Sequence, residues 1–186
     1  MTVQLHLGCW NRFLPNFIHI DVADFPHIDY KQDIKHLPQF NDNTVSLIYC
    51  SHALEYFDRG EALYALREWY RVLTDGGTLR LAVPDFEAIV KVYQKYGSLE
   101  HRGILGPLYG RMEVKVGDKT KIFYHKTVYD FKALKKLLEL VGFKHVRRYN
   151  WKTTIHKDYD DFSRSYIPHL NFGHGILISL NVEATK

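Results

Sequence analysis

A chain of 186 residues, 46% hydrophobic and with 13 Tyr, 11 Phe and 3 Trp, has enough apolar surface for one packed core and too much for a disordered segment. Its formal charge of +4 is spread along the chain and interrupted by acids, which argues against a nucleic-acid-binding face. The opening Met1-Thr2-Val3-Gln4-Leu5-His6-Leu7 has no basic start running into a long apolar stretch, no apolar run approaches about 18 residues, and Cys9 and Cys50 lack CxxC spacing. We therefore expect a cytoplasmic protein with no membrane span, disulfide framework or metal knuckle.

In chain order, a β-like run at residues 3–7 leads into Gly8-Cys9-Trp10-Asn11, and a second run follows at 17–22. The link between them is too brief for a crossover helix of about a dozen residues, so the first helix should be a stub. A buried run at 45–50 passes into Ser51-His52-Ala53-Leu54-Glu55. Helical spacing of Ala62, Leu63, Leu66, Trp69, Tyr70 and Leu73 predicts a helix over 61–73, with Asp58 and Glu61 as a capping box and Gly76-Gly77 closing it. A strand at 78–83 and a helix at 85–96 follow. Residues 97–124 show no periodicity and carry Gly97, Gly103, Gly106, Pro107, Gly110 and Gly117. This segment is expected to be a long excursion over the site, as a lid or an interface element. A helix at 130–141 presents Leu134, Leu137, Leu138 and Val141 inward and Lys132, Lys135 and Lys136 outward, and Gly142 ends it. Strands at 143–149 and 176–182 complete the chain. The alternation predicts a single α/β domain over 1–186 with a mostly parallel, doubly wound sheet, whose ligands lie at the carboxyl ends of the strands.

That architecture selects the site residues. Gly8 follows the first strand, where a missing Cβ lets backbone approach a ligand. Asp21 ends the second strand, where an acid accepts hydrogen bonds from ribose hydroxyls. With Asp33-Ile34 before Leu37-Pro38, Ser51-His52-Ala53-Leu54-Glu55 after a buried strand, and Arg71-Val72-Leu73-Thr74-Asp75-Gly76-Gly77 before Leu79-Arg80-Leu81-Ala82-Val83-Pro84-Asp85, the order of motifs resembles the class I S-adenosylmethionine-dependent methyltransferases. The likeness is to the small methyltransferases of the type 11 group. Tyr129-Asp130, Leu134, Leu137-Leu138, Val141-Gly142-Phe143 and Val146 resemble that family's penultimate helix and strand.

The resemblance implies a Rossmann-like sheet of seven strands with the last antiparallel, and S-adenosyl-L-methionine as cofactor. It implies that Gly8, Cys9 and Trp10 flank the methionine part, Asp21 holds the ribose, Asp33 and Ile34 lie near the adenine, and Ser51 and His52 line the reactive side. Trp10 departs from the family, standing where a second glycine is usual, and Tyr56 stands where relatives often carry His. For an oxygen acceptor the protein must also remove a proton. Candidate bases are His125, His169 and Asp161, with His156, Asp160 and Tyr166 beside them in or near the polar, aromatic stretch 157–174. The expected activity is methyl transfer to a small-molecule or sugar-containing acceptor by a monomer or homodimer, without metal. A non-catalytic module of the same fold is the alternative, and a dinucleotide enzyme is disfavoured because no Gly-x-Gly-x-x-Gly occurs.

Overall fold

The computed structural model describes residues 3–186, so Met1 and Thr2 of the opening segment lie outside the described residues. The buried apolar runs form β1 (Val3–Leu7), β2 (Ile18–Asp21), β4 (Val45–Ser51), β5 (Leu73–Pro84), β8 (Lys144–Arg148) and β11 (Ser179–Thr185), joined at one edge by the two-residue β3 (Tyr30–Lys31). The seven-stranded sheet has the order β3-β2-β1-β4-β5-β11-β8. Strands β1 to β5 pair in parallel, and β11 runs antiparallel to both neighbours, with Leu180 opposite Val83 and Val182 opposite Leu81. No helix among the described residues is long and apolar enough to cross a membrane.

Helices α1 (Arg59–Val72) and α4 (Phe131–Val141) pack on one face of this sheet. Their buried Leu66, Trp69, Leu134 and Leu138 join Leu5, Leu7, Ile20, Ile48 and Cys50 in the main core. The capping box at α1 forms as its spacing requires: Asp58 accepts from the Glu61 N–H and Glu61 returns the bond to the Asp58 N–H. Asp130 caps α4 by accepting from the Ala133 N–H (2.7 Å), and Gly142 closes it at φ +118. On the other side, α2 (Phe86–Tyr96) and α3 (Arg102–Tyr109) share a smaller core of Ala88, Ile89, Val92, Ile104 and Ile178.

Several expectations are corrected. Residues 8–17 contain no helix at all, and the face of β1, β2 and β4 opposite the main core is closed by rings instead. Alternation along each strand sends His6, His19 and Tyr49 to that face. His6 stacks on Tyr49 at 5.3 Å, Tyr49 on His156 at 3.9 Å, and Phe13 on His19 at 5.0 Å. Gly76-Gly77 does not close α1. The helix ends at Val72 and runs straight into β5, and residues 74–77 bulge from the ladder, whose register jumps from Val45 opposite Leu73 to Leu47 opposite Thr78. Gly76 takes φ +73 there and donates to the Lys186 carbonyl (3.1 Å). The strand expected at 176–182 is divided. Its start, β10 (Ile176–Leu177), pairs with β9 (Tyr166–Ile167), and only β11 enters the main sheet. The excursion at 97–124 is ordered, as α3 followed by a hairpin of β6 (Met112–Val116) and β7 (Lys119–Phe123) turning at Gly117 with φ +58.

Candidate active site

At the carboxyl ends of β1, β2 and β4 lies a cavity of about 840 Å³, within the roughly 300–1,000 Å³ of small-ligand sites. All eight residues singled out as cofactor-binding candidates, Gly8, Cys9, Trp10, Asp21, Asp33, Ile34, Ser51 and His52, line it. A Cβ on Gly8 would collide with Ala53 Cβ and sit 3.4 Å from Ile34 Cδ1, and the residue has φ +63, so only glycine fits this turn. Trp10 also adopts a positive φ, 45°, the backbone that a glycine would take at low cost. The conformation is held from outside, because the Trp10 N–H donates to Asp21 Oδ2 at 2.7 Å. The indole meets Phe25 edge to face, ring centroids 6.1 Å apart.

Asp21 is nearly buried and also accepts from the Ala23 N–H at Oδ1 (2.8 Å), so its carboxylate is fixed in direction and keeps lone pairs toward the cavity. Ile34 is buried, its carbonyl accepting from Trp69 Nε1 (2.8 Å). Ser51 lines the wall with a buried Oγ that has no partner among the described residues. Burial holds the Cys9 thiol in its neutral form, with Asp21 adding to the upward push.

The opposite wall comes from the excursion and from the stretch after β8. Pro107, Gly110, Arg111, Ile122 and Tyr124 contribute on one side, and Asp161, Phe162 and Ser165 on the other. The sequence places the excursion over the site and marks Gly106, Pro107 and Gly110 only as breaks in periodicity, since the approach of the wall residues depends on α3 and the hairpin folding back. Lys35, Arg111 and Lys126 pair with acids, whereas Arg12 has no ion-pair partner among the described residues. Its guanidinium stands 6.0 Å from the Phe162 ring. Lys126, followed by the Asp58 backbone, holds the Glu61 carboxyl down to about 2.

The three candidate bases separate. Asp161 is nearly buried on the cavity wall, accepting at Oδ1 from the Ser163 N–H (2.8 Å) and at Oδ2 from the Tyr49 hydroxyl. His125 also lines the cavity, but Nδ1 lies 2.8 Å from the Pro107 carbonyl and Nε2 faces Glu55, so neither nitrogen is turned to a ligand. His169 is not brought to the cavity and lies exposed in the loop after β9. Of the neighbours named with them, His156 is buried against Tyr49 behind the wall, Asp160 is exposed, and the Tyr166 hydroxyl accepts from Trp151 Nε1 (3.4 Å).

Residues 15–81 match the sequence family described as methyltransferase domain, a span beginning just beyond the Gly8–Trp10 turn. The whole chain superimposes on a methyltransferase dependent on S-adenosylmethionine from Archaeoglobus fulgidus, with TM-score 0.59 and 15% identity, covering 100% of this chain and 86% of that one. A second such enzyme, from Methanosarcina mazei, gives TM-score 0.58 and 16% identity over 98% of this chain and 91% of that one. No functionally curated protein matches the sequence. This chain has the fold of those methyltransferases.

The two solved structures are of proteins dependent on S-adenosylmethionine, and three features of this cavity suit such a ligand. The Gly8 turn leaves room that a Cβ would fill, the Asp21 carboxylate is held toward the cavity, and the buried Ser51 Oγ has no partner among the described residues. Asp21→Ala is expected to weaken binding of S-adenosylhomocysteine by at least tenfold, about 1.4 kcal/mol, since charge-assisted hydrogen bonds are lost. Calorimetric titration of the variant, with folding checked by its melting curve, measures this. Unchanged affinity would remove Asp21 from the ribose site.

Proposed function

We propose that this chain is a class I methyltransferase that transfers a methyl group from S-adenosylmethionine to a small-molecule or sugar-containing acceptor. The reading is carried by one observation, the convergence of all eight cofactor-binding candidates on a single cavity wall. In it, Gly8, Cys9 and Trp10 flank the methionine part, Asp21 holds the ribose hydroxyls, Asp33 and Ile34 contact the adenine, and Ser51 and His52 face the reactive side. The cofactor supplies an electrophilic sulfonium methyl. The chain's own work is to align the acceptor with that carbon, exclude water and take the acceptor's proton.

Asp161 is our choice for the proton acceptor, because its carboxylate retains acceptor capacity on the cavity wall while both His125 nitrogens are engaged. Arg12, a cation with no ion-pair partner among the described residues, lines the same space and suits a carboxylate or phosphate on a bound ligand. Residues 97–124 act as a lid, with Pro107, Gly110 and Tyr124 closing over the ligands. We assign the protein to the cytoplasm as a monomer or homodimer.

Titration with S-adenosylmethionine and S-adenosylhomocysteine tests this without knowledge of the acceptor. Micromolar or tighter binding is expected, and no binding of either would overturn the proposal. Trp10 provides a second measurement. Its ring leans on Phe25 beside the cavity, so Trp10→Gly should weaken cofactor binding several-fold through the lost aromatic wall and the added backbone freedom of the unliganded turn. Tighter binding in the variant would mean that the indole obstructs the methionine pocket.

A further inference from the structure

Glu55 follows β4 in the short turn Leu54–Tyr56 and is fully buried, yet neither carboxylate oxygen has a hydrogen-bond partner among the described residues. A lone ionised carboxylate in such a place is strongly disfavoured. Two imidazoles face its Oε1: His52 Nδ1 at 3.4 Å and His125 Nε2 at 3.7 Å. The remaining nitrogen of each ring fixes its tautomer. His125 Nδ1 meets the Pro107 carbonyl oxygen, which can only accept, so Nδ1 carries hydrogen. His52 Nε2 lies 3.0 Å from Ser179 Oγ. That hydroxyl gives its own hydrogen to Asn181 Oδ1 (3.0 Å), because the Asn181 amide N–H is used on the Ser163 carbonyl (2.9 Å). The hydroxyl therefore accepts, and His52 Nε2 carries hydrogen.

Two neutral rings would then turn lone pairs toward an ionised carboxylate at under 4 Å, and one added proton removes the conflict. We propose that His52, Glu55 and His125 form one proton-holding site, with Glu55 the positioning residue whose shared proton ties the turn after β4 to the excursion and so sets the cavity's shape. Gly110 packs directly on the His125 ring, and Tyr56, which bonds the Gly110 carbonyl (2.9 Å), meets that ring edge to face at 4.6 Å, so moving His125 moves the excursion. His52 itself takes φ 55, a costly conformation for a non-glycine residue.

The other titratable groups around Glu55 do not supply the proton's site. Burial first, then Glu55, pushes the Cys50 thiol and the Tyr56 phenol up. Burial also pushes up Tyr129, against the nearby Arg59, whose guanidinium lies 4.9 Å from that ring. For His125, burial pulls the imidazole down, the Glu55 charge opposes it, and the net direction is downward.

Histidine-ring ¹⁵N NMR of the free protein tests the proton, and affinity for S-adenosylhomocysteine against pH tests the positioning. Only the second arm rests on the methyltransferase reading. The wild type should show the Nδ1–H tautomer at His125, the Nε2–H tautomer at His52 and one coupled step for the pair. Glu55→Gln can donate an amide N–H to a ring lone pair without titrating, so it should keep the melting temperature and abolish the coupled step. Affinity should fall at least tenfold as the wild type passes alkaline through that step and stay flat in Glu55→Gln. Independent titration of both rings at the ordinary histidine value overturns the proton site, and wild-type spectra alone decide this if the variant does not fold. A coupled step with pH-independent affinity overturns the positioning role. Absence of S-adenosylhomocysteine binding at every pH overturns the functional reading and leaves the spectral result standing.

Discussion

Asp161→Asn is expected to lower kcat by about 10²- to 10⁴-fold, the usual contribution of a positioned proton acceptor, while leaving affinity for S-adenosylhomocysteine within a few-fold of wild type. The substitution keeps the shape of the side chain and one oxygen for the Ser163 N–H, so the turn it caps should persist. What it removes is the charge that can receive the acceptor's proton. Tyr49 and Tyr149 sharpen the expectation, because the Asp161 charge adds to the burial that keeps both phenols protonated, so neither offers a ready base. The measurement is a pair: thioether product release with a turned-over acceptor, and calorimetric titration of the same variant. Wild-type kcat in Asp161→Asn would show that the acceptor loses its proton elsewhere.

The second large effect concerns stability toward acid. His6, His19 and His156 are buried among rings and are held neutral chiefly by that burial, with the His156 imidazole drawn down to about 4. In the unfolded chain each would titrate near about 6.5, so the unfolded state binds more protons at any pH below that value and gains stability relative to the fold. The contribution is therefore intact above about pH 6.5 and lost as pH falls toward the folded value. For His156 alone the loss at pH 5 is about 2 kcal/mol, and His6 and His19 add to it in the same direction. Denaturant unfolding followed between roughly pH 7.5 and 5 should show stability dropping steeply. His156→Phe preserves the stacking on Tyr49 and should flatten the slope by up to about 1.4 kcal/mol per pH unit. An unchanged slope in that variant would mean that His156 takes up its proton without cost.

Much of the fold was legible because its signals are local. The capping box at Asp58 and Glu61, the Asp130 cap, Gly142 after the amphipathic α4, and the buried runs of β1, β4, β5 and β11 each declare themselves within a few residues. The positions of Gly8, Asp21, Asp33 and Ser51 at the ends of successive strands follow from that order, since a parallel sheet brings carboxyl ends to one side. The two-residue β3, β9 and β10 are too short to carry a period, and the hairpin of β6 and β7 has mixed faces that mimic a loop. Gly76-Gly77 misled for a related reason: two glycines after a helix permit a cap or a bulge equally, and only the pairing of β5 with β4 and with the chain's end selects the bulge.

The same division runs through the site. Residue type and order in the sequence by themselves determined the longer strands of the sheet, the Asp58 and Asp130 helix caps and the cavity-lining positions at the strand ends, because each depends on neighbours within one strand-turn-helix unit. Tertiary structure alone decided which of the three proposed bases faces the cavity. Asp161 and His125 are brought there by segments over 100 residues beyond β1, and His169, eight residues past Asp161, is left in solvent. It alone decided that Trp10 takes a glycine-like backbone, which an Asp21 oxygen from the next strand holds in place. It also decided that Glu55 is buried between His52 and His125. Burial and tautomer are properties of three-dimensional surroundings, and no spacing along the chain encodes them.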